Sequence, residues 1–239
     1  MPEPFVRATS AVIPILRANI DTDQIAPARF LKITDKAGLA DALFCDWRFT
    51  PDGKLREPRF VIDQPRNAGR QLILAGDNFG AGSSREHAPW ALRAWGIRAI
   101  FSTSFADIFR ANSLKNALLP IVVTPERHAA LAALLDSDPD GRWTVDLESS
   151  RVTLPNGESF DFEIDPFART MILAGTDEIG YVLSRLPAIE AWESAHPARV
   201  DTLAQAREGI GGSRRHLVAD PSLAGSPRLH GAPPRRPET

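Results

Sequence analysis

Thiols are almost absent from this sequence of 239 residues, which contains a single cysteine, Cys45. One cysteine cannot form an internal disulfide, and it cannot supply the several thiolates that ligate an iron–sulfur cluster. The simplest interpretation of Cys45 is a small buried apolar residue. Any metal centre that the chemistry of this protein needs would therefore be carried by another chain.

A large charge of either sign is also missing. The chain has 28 basic and 30 acidic residues and a formal net charge of −2, which gives no electrostatic reason to expect nucleic acid or an acidic membrane as a partner. The five histidines are scattered and lack the spacing of metal ligands. The sequence thus predicts that this chain by itself binds no metal.

Long hydrophobic runs are lacking as well. The apolar run at 11–16 is short, contains Pro14 and follows no basic segment of the signal-peptide type. We therefore expect a cytoplasmic protein. Its apolar content of 43% is ordinary for a globular domain, so we expect a packed core.

Strand and helix patterns are mixed along the chain and predict one α/β domain over 1–198, a mixed sheet with flanking helices. The segment 199–239 is dominated by Gly, Pro and Arg without apolar periodicity, and is predicted to be disordered. Thr124 is predicted to cap a helix at its N-terminus, as is Thr103 or Ser104. The predicted strands are 12–16, 60–63, 71–75, 97–102, 119–123 and 143–147, with a hairpin of 152–154 and 159–164; the predicted helices are 86–95, one through 105–109, 125–135 and 187–195.

The most informative segment is 76–92, which reads Gly-Asp-Asn-Phe-Gly-Ala-Gly-Ser-Ser-Arg-Glu-His-Ala-Pro-Trp-Ala-Leu. A glycine-rich loop at a helix start presents backbone N–H groups to an anion, and the Arg85 guanidinium can form two hydrogen bonds to a carboxylate. Ser83 and Ser84 place hydroxyls beside it. Because Pro89 disfavours an earlier start, regular helix should begin near His87. The segment suggests a site for a small organic acid, with Ser83 moving a proton next to it.

Three other interpretations of this segment remain open. A phosphate cradle is disfavoured because the glycine spacing fits neither the P-loop nor the dinucleotide fingerprint. A serine nucleophile with His87 as base is disfavoured because the G-x-S-x-G elbow is absent. A purely structural turn before a capped helix fits the residue chemistry as well as the carboxylate site does.

The polar segment 19–25 leaves similar alternatives. Asp21 and Asp23 can cap a turn, pair with Arg85 or orient a cation, and capping is the simplest of these. Farther along, Asn112, Lys115 and Asn116 can meet a carboxylate or satisfy a helix C-terminus.

Several segments together closely resemble the small subunits of bacterial 3-isopropylmalate dehydratase, in the aconitase superfamily. The resemblance runs to about His196, and the run 82–87 is shared with the wider superfamily. Its longer continuation through Leu92, with Asp-Trp-Arg-Phe at 46–49, is more specific to the isopropylmalate branch. The matching segments are 19–25, 30–32, 43–49, 76–92, 104–109 with 112–113, and 177–180.

The resemblance implies a swivelling β/β/α domain of the aconitase type that closes over a larger subunit carrying a 4Fe-4S cluster. It implies interconversion of 2-isopropylmalate and 3-isopropylmalate through 2-isopropylmaleate, in leucine biosynthesis. By matching, Ser83 is the base, Ser84 and Arg85 hold a substrate carboxylate, and Asp23 falls on an acidic active-site position. Two other readings remain: a related hydro-lyase subunit for homoaconitate or a methyl-substituted malate, and a non-catalytic binding module on the same fold.

Two departures from relatives bear on function. Ala81 stands where relatives often have Cys, a position with no inferred role. Aconitases carry an Arg after Trp-Leu-Lys that binds the extra carboxylate of citrate, whereas here Phe30, Leu31 and Lys32 are followed by Ile33 and Thr34. An unpaired Arg facing an apolar group would be costly to desolvate. We therefore expect the 30–34 loop to select an apolar substituent of the substrate.

Overall fold

The computed structural model describes residues 3–32, 37–82 and 85–196. The chain divides into two units, Met1–Arg185 and Leu186–Thr239. In the second unit, the described element is helix Leu186–Ala195, whose side chains are largely exposed. The predicted boundary at 198 stays a prediction, and the extension 199–239 lies outside the described residues.

Eight strands of the first unit form two four-stranded sheets. One is antiparallel, with strand order β1-β6-β7-β8, and the other is parallel, with order β2-β3-β4-β5. The predicted mixed α/β architecture is confirmed, with parallel and antiparallel pairing divided between two sheets. The strands are β1 (Arg7–Ser10), β2 (Val12–Ile15), β3 (Leu72–Ala75), β4 (Ala99–Ser102), β5 (Leu119–Val122), β6 (Trp143–Asp146), β7 (Arg151–Thr153) and β8 (Ser159–Asp161).

Among the described residues of the first unit, seven α-helices accompany these strands, most of them short. Three of these helices begin at an N-cap residue whose side chain accepts a backbone N–H of the first turn, namely Thr124, Asp165 and Asp177. The helices are α1 (Thr22–Ile25), α2 (Cys45–Arg48), α3 (His87–Trp95), α4 (Asp107–Lys115), α5 (Pro125–Ser137), α6 (Pro166–Ala174) and α7 (Glu178–Ser184). The sequence interpretation missed β1, α2, α6 and α7, and it took the segment that contains α1 for a polar turn.

Both faces of the parallel sheet are buried, as predicted for the run 71–75. Alternate residues of β3 divide between two cores: Leu72 and Leu74 face one, and Ile73 and Ala75 face the other. The first core includes Trp143 of the antiparallel sheet, and the second includes Leu92 of α3. The layers are therefore sheet, sheet and helix, which is the β/β/α arrangement that was expected.

A buried ion pair explains why 60–63, predicted to be a strand, is not one. The segment folds as the 3-10 helix Val61–Asp63, and both Asp63 carboxylate oxygens accept N–H groups of Arg48, at 2.9 to 3.1 Å. Arg48 also donates to the Leu43 carbonyl at 3.1 Å. Because both charged side chains are over 90% buried, this pairing, which local sequence does not reveal, determines the conformation.

Gly80 shows how tightly the glycine-rich segment packs against α4. Its φ of +79° favours glycine, and a Cβ there would lie 2.6 Å from the Phe109 Cβ and overlap its ring. Phe109 is itself buried in the second core. A side chain at position 80 would therefore displace either the loop or α4.

We expect Gly80→Ala to lower the free energy of unfolding by about 3 kcal/mol, because it adds overlap with Phe109 to the strain of a positive φ. Gly69→Ala is the matched control, since Gly69 has φ +73° and open space around it, and it should cost about 1 kcal/mol. Chemical denaturation of both variants measures the difference. Equal losses would contradict the packing argument.

Candidate active site

The site lies where the parallel strands end. Segments after β2, β3 and β4 continue side by side at the carboxyl edge of the sheet, the edge at which ligands bind in open parallel sheets. The Asn19 N–H donates to the Asp77 carbonyl at 2.8 Å, and the Phe79 N–H donates to the Ser104 carbonyl at 3.1 Å. The glycine-rich segment is thus the middle one of three neighbouring segments.

Further backbone bonds hold α1 against the glycine-rich segment. The Ile20 carbonyl accepts the N–H groups of Gly80 and Ala81, at 2.7 and 3.1 Å, and the Thr22 N–H donates to the Ala81 carbonyl at 2.8 Å. In α1, the Asp21 side chain accepts the Gln24 N–H and the Gln24 side chain accepts the Asp21 N–H, forming a capping box. Asp21 therefore has the capping role that was the simplest expectation.

Asp23 and Arg85 come together on this frame although they are 62 residues apart. Arg85 Nη1 donates to Asp23 Oδ1 in an ion pair. The Arg85 side chain is 19% exposed and that of Asp23 is 51% exposed. The guanidinium is therefore sheltered yet accessible, as binding a small carboxylate requires.

The two serines predicted to act beside Arg85 lie outside the described residues. Ser83 and Ser84 immediately precede Arg85 in sequence, and α3 begins two residues after it, at His87. This helix start agrees with the expectation based on Pro89. The α3 N-cap residue is Glu86, whose side chain forms no capping hydrogen bond.

Asp77 joins the glycine-rich segment to the segment after β4, and the sequence interpretation gave it no role. Its Oδ1 accepts the hydroxyls of Thr103 and Ser104, each at 2.6 Å. The signal was present, since an acid follows one buried strand and two hydroxyl residues follow the next. These hydroxyls were predicted to cap α4, but that prediction is wrong: the N-cap is Ala106, without a side-chain bond, because the hydroxyls bind Asp77 instead.

The residues expected to select the substrate begin in the 3-10 helix Ala28–Phe30. Phe30 packs partly buried against the second core, while Leu31 and Lys32 are exposed. Ile33 and Thr34 lie outside the described residues. In the part of the chain that the structure describes, no hydrogen bond or ion pair joins Phe30, Leu31 or Lys32 to Arg85.

A cavity of about 660 Å³ opens beside Phe30. Its wall includes Cys45, which is 5% exposed, and burial raises the pKa of the thiol. Arg29 crosses the cavity wall to pair with Asp46 and to donate to Cys45 Sγ at 2.9 Å. The small buried cysteine that the sequence predicted is thus what the structure shows.

Asn116 and Lys115 link the end of α4 to neighbouring helices. Asn116 is the C-cap residue of α4, and its Oδ1 accepts the Trp90 indole N–H at 2.9 Å. Lys115 pairs with Glu178 at 3.5 Å. The Asn116 Nδ2 also donates to the Asn112 carbonyl at 2.9 Å, so Asn116 takes the helix-terminus role, whereas Lys115 pairs with a carboxylate of this chain.

Across 3–32, 37–82 and 85–196, no group of three or more His, Cys, Asp or Glu side chains is placed to hold a metal ion. None of the described helices has the length and apolar character needed to cross a bilayer.

Family models and relatives cover most of the chain. The Aconitase C-terminal domain model matches residues 3–126, and a model described as LeuD_N matches 129–166. The chain is 50% identical to the 3-isopropylmalate dehydratase small subunit of Solibacter usitatus, over 84% of this chain and 99% of that one. The chain belongs to the family of 3-isopropylmalate dehydratase small subunits.

Other comparisons agree with this family. The 3-isopropylmalate dehydratase small subunit of Anaeromyxobacter dehalogenans is 51% identical over 80% of this chain and 97% of its own length. A crystal structure of 3-isopropylmalate dehydratase from Methanocaldococcus jannaschii matches with a TM-score of 0.57 and 25% identity, covering 78% of this chain and 99% of that one. The resemblance drawn from sequence motifs is confirmed, and the name small subunit implies a larger partner.

The Asp77 contacts predict a measurable titration. The hydroxyls of Ser104 and Thr103 lower the pKa of the Asp77 carboxyl. Their stabilisation of the ionised carboxylate is therefore complete at neutral pH and is lost as the pH falls through that lowered pKa. Ser104→Ala should move the pKa of Asp77 back toward its usual value, as followed by carboxyl ¹³C NMR. Asp161, paired with Arg151 on the other sheet, is the internal control; an unchanged Asp77 titration would contradict the assigned contact.

Proposed function

We propose that this chain is the small subunit of an enzyme that interconverts 2-isopropylmalate and 3-isopropylmalate through 2-isopropylmaleate, in leucine biosynthesis. The observation that carries the proposal is the match to named small subunits at 50% identity over 99% of a relative's length. The sheltered Arg85 at the carboxyl edge of the parallel sheet supports it, because both substrates are dicarboxylates. The proposed place of action is the cytoplasm, and the catalytic unit is the domain 1–198.

The partner in this proposal is a large subunit that carries a 4Fe-4S cluster. The residues of this chain agree with placing the cluster on the partner, because its one cysteine is buried and accepts a hydrogen bond from Arg29. When bound to the partner, the cluster supplies a Lewis acid for the hydroxyl that leaves or adds. This chain would supply the groups that hold the acid and move the proton.

Arg85 and Ser84 are assigned to one substrate carboxylate. A guanidinium forms two parallel hydrogen bonds to a carboxylate, and backbone N–H groups of a glycine-rich loop add neutral donors. The support for this role is the partial burial of Arg85 and its position directly after the loop. A held carboxylate fixes which neighbouring carbon faces the base.

Ser83 is assigned as the base that takes the C–H proton, leaving the carbon–carbon double bond of the maleate as the hydroxyl departs. It returns a proton in the reverse addition. A serine hydroxyl is a weak base in water, so this role requires that donors and a cation stabilise its alkoxide in a site with little water. Arg85, two residues away in sequence, is the cation of this chain proposed for that purpose.

The loop from Phe30 to Thr34 is proposed to select the apolar isopropyl group. Its composition supports this, since Phe30, Leu31, Ile33 and Thr34 offer no charge where aconitases carry an arginine. Lys32 is the loop's charged residue and is exposed. Citrate, with a third carboxylate in place of the isopropyl group, should be rejected.

Anaerobic reconstitution tests the function. The full chain is combined with a candidate large subunit, and absorbance of the maleate double bond is followed with isopropylmalate, homoaconitate, methyl-substituted malates and citrate. Isopropylmalate should give the highest kcat/KM. Comparable turnover of citrate would refute the selection by 30–34, and no turnover of any substrate by an assembled complex would refute the reaction.

Ser83→Ala should lower kcat by at least about a thousandfold while leaving assembly with the large subunit intact, because it removes the proposed base. Ser137→Ala is the control, since it removes an exposed hydroxyl that donates to Leu134 at the end of α5. Steady-state kinetics and gel filtration report activity and assembly separately. Near-normal turnover by Ser83→Ala would exclude the base assignment.

Arg85→Lys should lower kcat/KM by about a hundredfold, because an ammonium cannot reproduce the planar pair of N–H donors. Arg151→Lys serves as the control, since Arg151 forms an exposed pair with Asp161 on the hairpin of β7 and β8. The measurement is the same absorbance assay at varied substrate concentration. A change of less than about threefold would argue against carboxylate binding by Arg85.

A further inference from the structure

The pairing of Arg85 uses only part of its guanidinium. Nη1 donates to Asp23 Oδ1, and no other hydrogen bond of Arg85 is formed with the residues that the structure describes. A guanidinium carries five N–H donors in a fixed plane. A single contact at Nη1 therefore restrains the guanidinium and leaves the donors on Nε and Nη2 for a second acceptor.

Asp23 is held firmly enough to orient another side chain. It lies in α1, between Thr22, whose N–H is bonded to Ala81, and Gln24, which takes part in the capping box. Thr22 and Ile25 are buried on either side of it in sequence. The Asp23 backbone is consequently fixed relative to Ala81, four residues before Arg85.

Direct binding of substrate by Asp23 is opposed by charge. A carboxylate repels the carboxylates of a dicarboxylic acid, and Asp23 offers only acceptors when ionised. Its one described ionic partner is Arg85. Asp23 can therefore help to bind a substrate carboxylate only through the guanidinium.

We propose that Asp23 is a positioning residue, which holds Arg85 by one nitrogen so that the remaining donors meet the substrate carboxylate in a preset orientation. The identity of that carboxylate rests on the proposed function. Without Asp23, the Arg85 side chain samples other rotamers, and only a fraction of molecules is ready to bind. The consequence falls on substrate binding and leaves the chemical step intact.

Kinetics of the reconstituted full-length complex test this role. Asp23→Ala should raise KM about fivefold, in line with a partly exposed ion pair, and leave kcat within about twofold. Asp23→Asn should recover part of the loss, because its amide oxygen still accepts an N–H. Asp161→Ala is the matched control, as it removes an aspartate from an exposed arginine pair on the other sheet and should change neither constant.

Three kinetic results would overturn the proposal. A lower KM in Asp23→Ala would mean that Asp23 competes with substrate for Arg85. A large fall in kcat with unchanged KM would mean that Asp23 takes part in the chemical step. A fivefold higher KM in Asp23→Asn, equal to that of Asp23→Ala, would likewise contradict orientation by a hydrogen bond.

NMR of the isolated full chain tests the pairing without depending on the reaction. The Arg85 guanidinium signal, identified by its absence in Arg85→Lys, should be sharp in the wild type and broadened in Asp23→Ala. An unchanged signal would refute positioning. If the wild-type complex fails to turn over isopropylmalate while this signal changes as expected, the proposed function fails and the positioning of Arg85 by Asp23 stands.

Discussion

The backbone hydrogen bonds between segments 19–22 and 77–81 determine everything else at the candidate site. They continue the parallel pairing of β2 and β3 past the ends of the strands, where loops would otherwise diverge. Gly76 permits the close approach, because a Cβ there would overlap the backbone of Arg17. The pairing of these two segments brings Asp23 close to Arg85. The segment after β4 holds the glycine-rich segment from its other side, through the hydrogen bond between the Phe79 N–H and the Ser104 carbonyl.

Electrostatics at this edge are local, in a chain whose net charge is near zero. Asp77 is satisfied by two hydroxyls, Asp21 by a helix N-terminus and Asp23 by Arg85. Each acid therefore has a donor of its own, and Arg85 retains donors for a ligand. A dicarboxylate can be bound by such a surface without any excess of basic residues, which is why composition alone argued neither for nor against an acid-binding protein.

Much of this fold could be predicted from sequence because its signals are local. The buried run before Gly76, the Thr124-Pro125 helix start and the hairpin at Asn156 each encode their structure within a few residues, and the observed elements follow them. Two of the failures share one cause, a partner distant in sequence. Residues 60–63 form no strand because Asp63 pairs with Arg48. Ser104 does not cap α4 because its hydroxyl donates to Asp77 instead.

The candidate site divides along the same line. Arg85 was identified from its own neighbourhood, whereas the roles of Asp21 and Asp23 stayed open until their partners were known, one three residues away and the other 62. Two aspartates two positions apart thus have different roles: Asp21 caps the start of α1, and Asp23 orients the Arg85 guanidinium. The difference arises because side chains two positions apart at the start of a helix point in different directions. In the proposed function the site is shared with a large subunit, and such internal orientation would set the groups of this chain before the partner contributes its own.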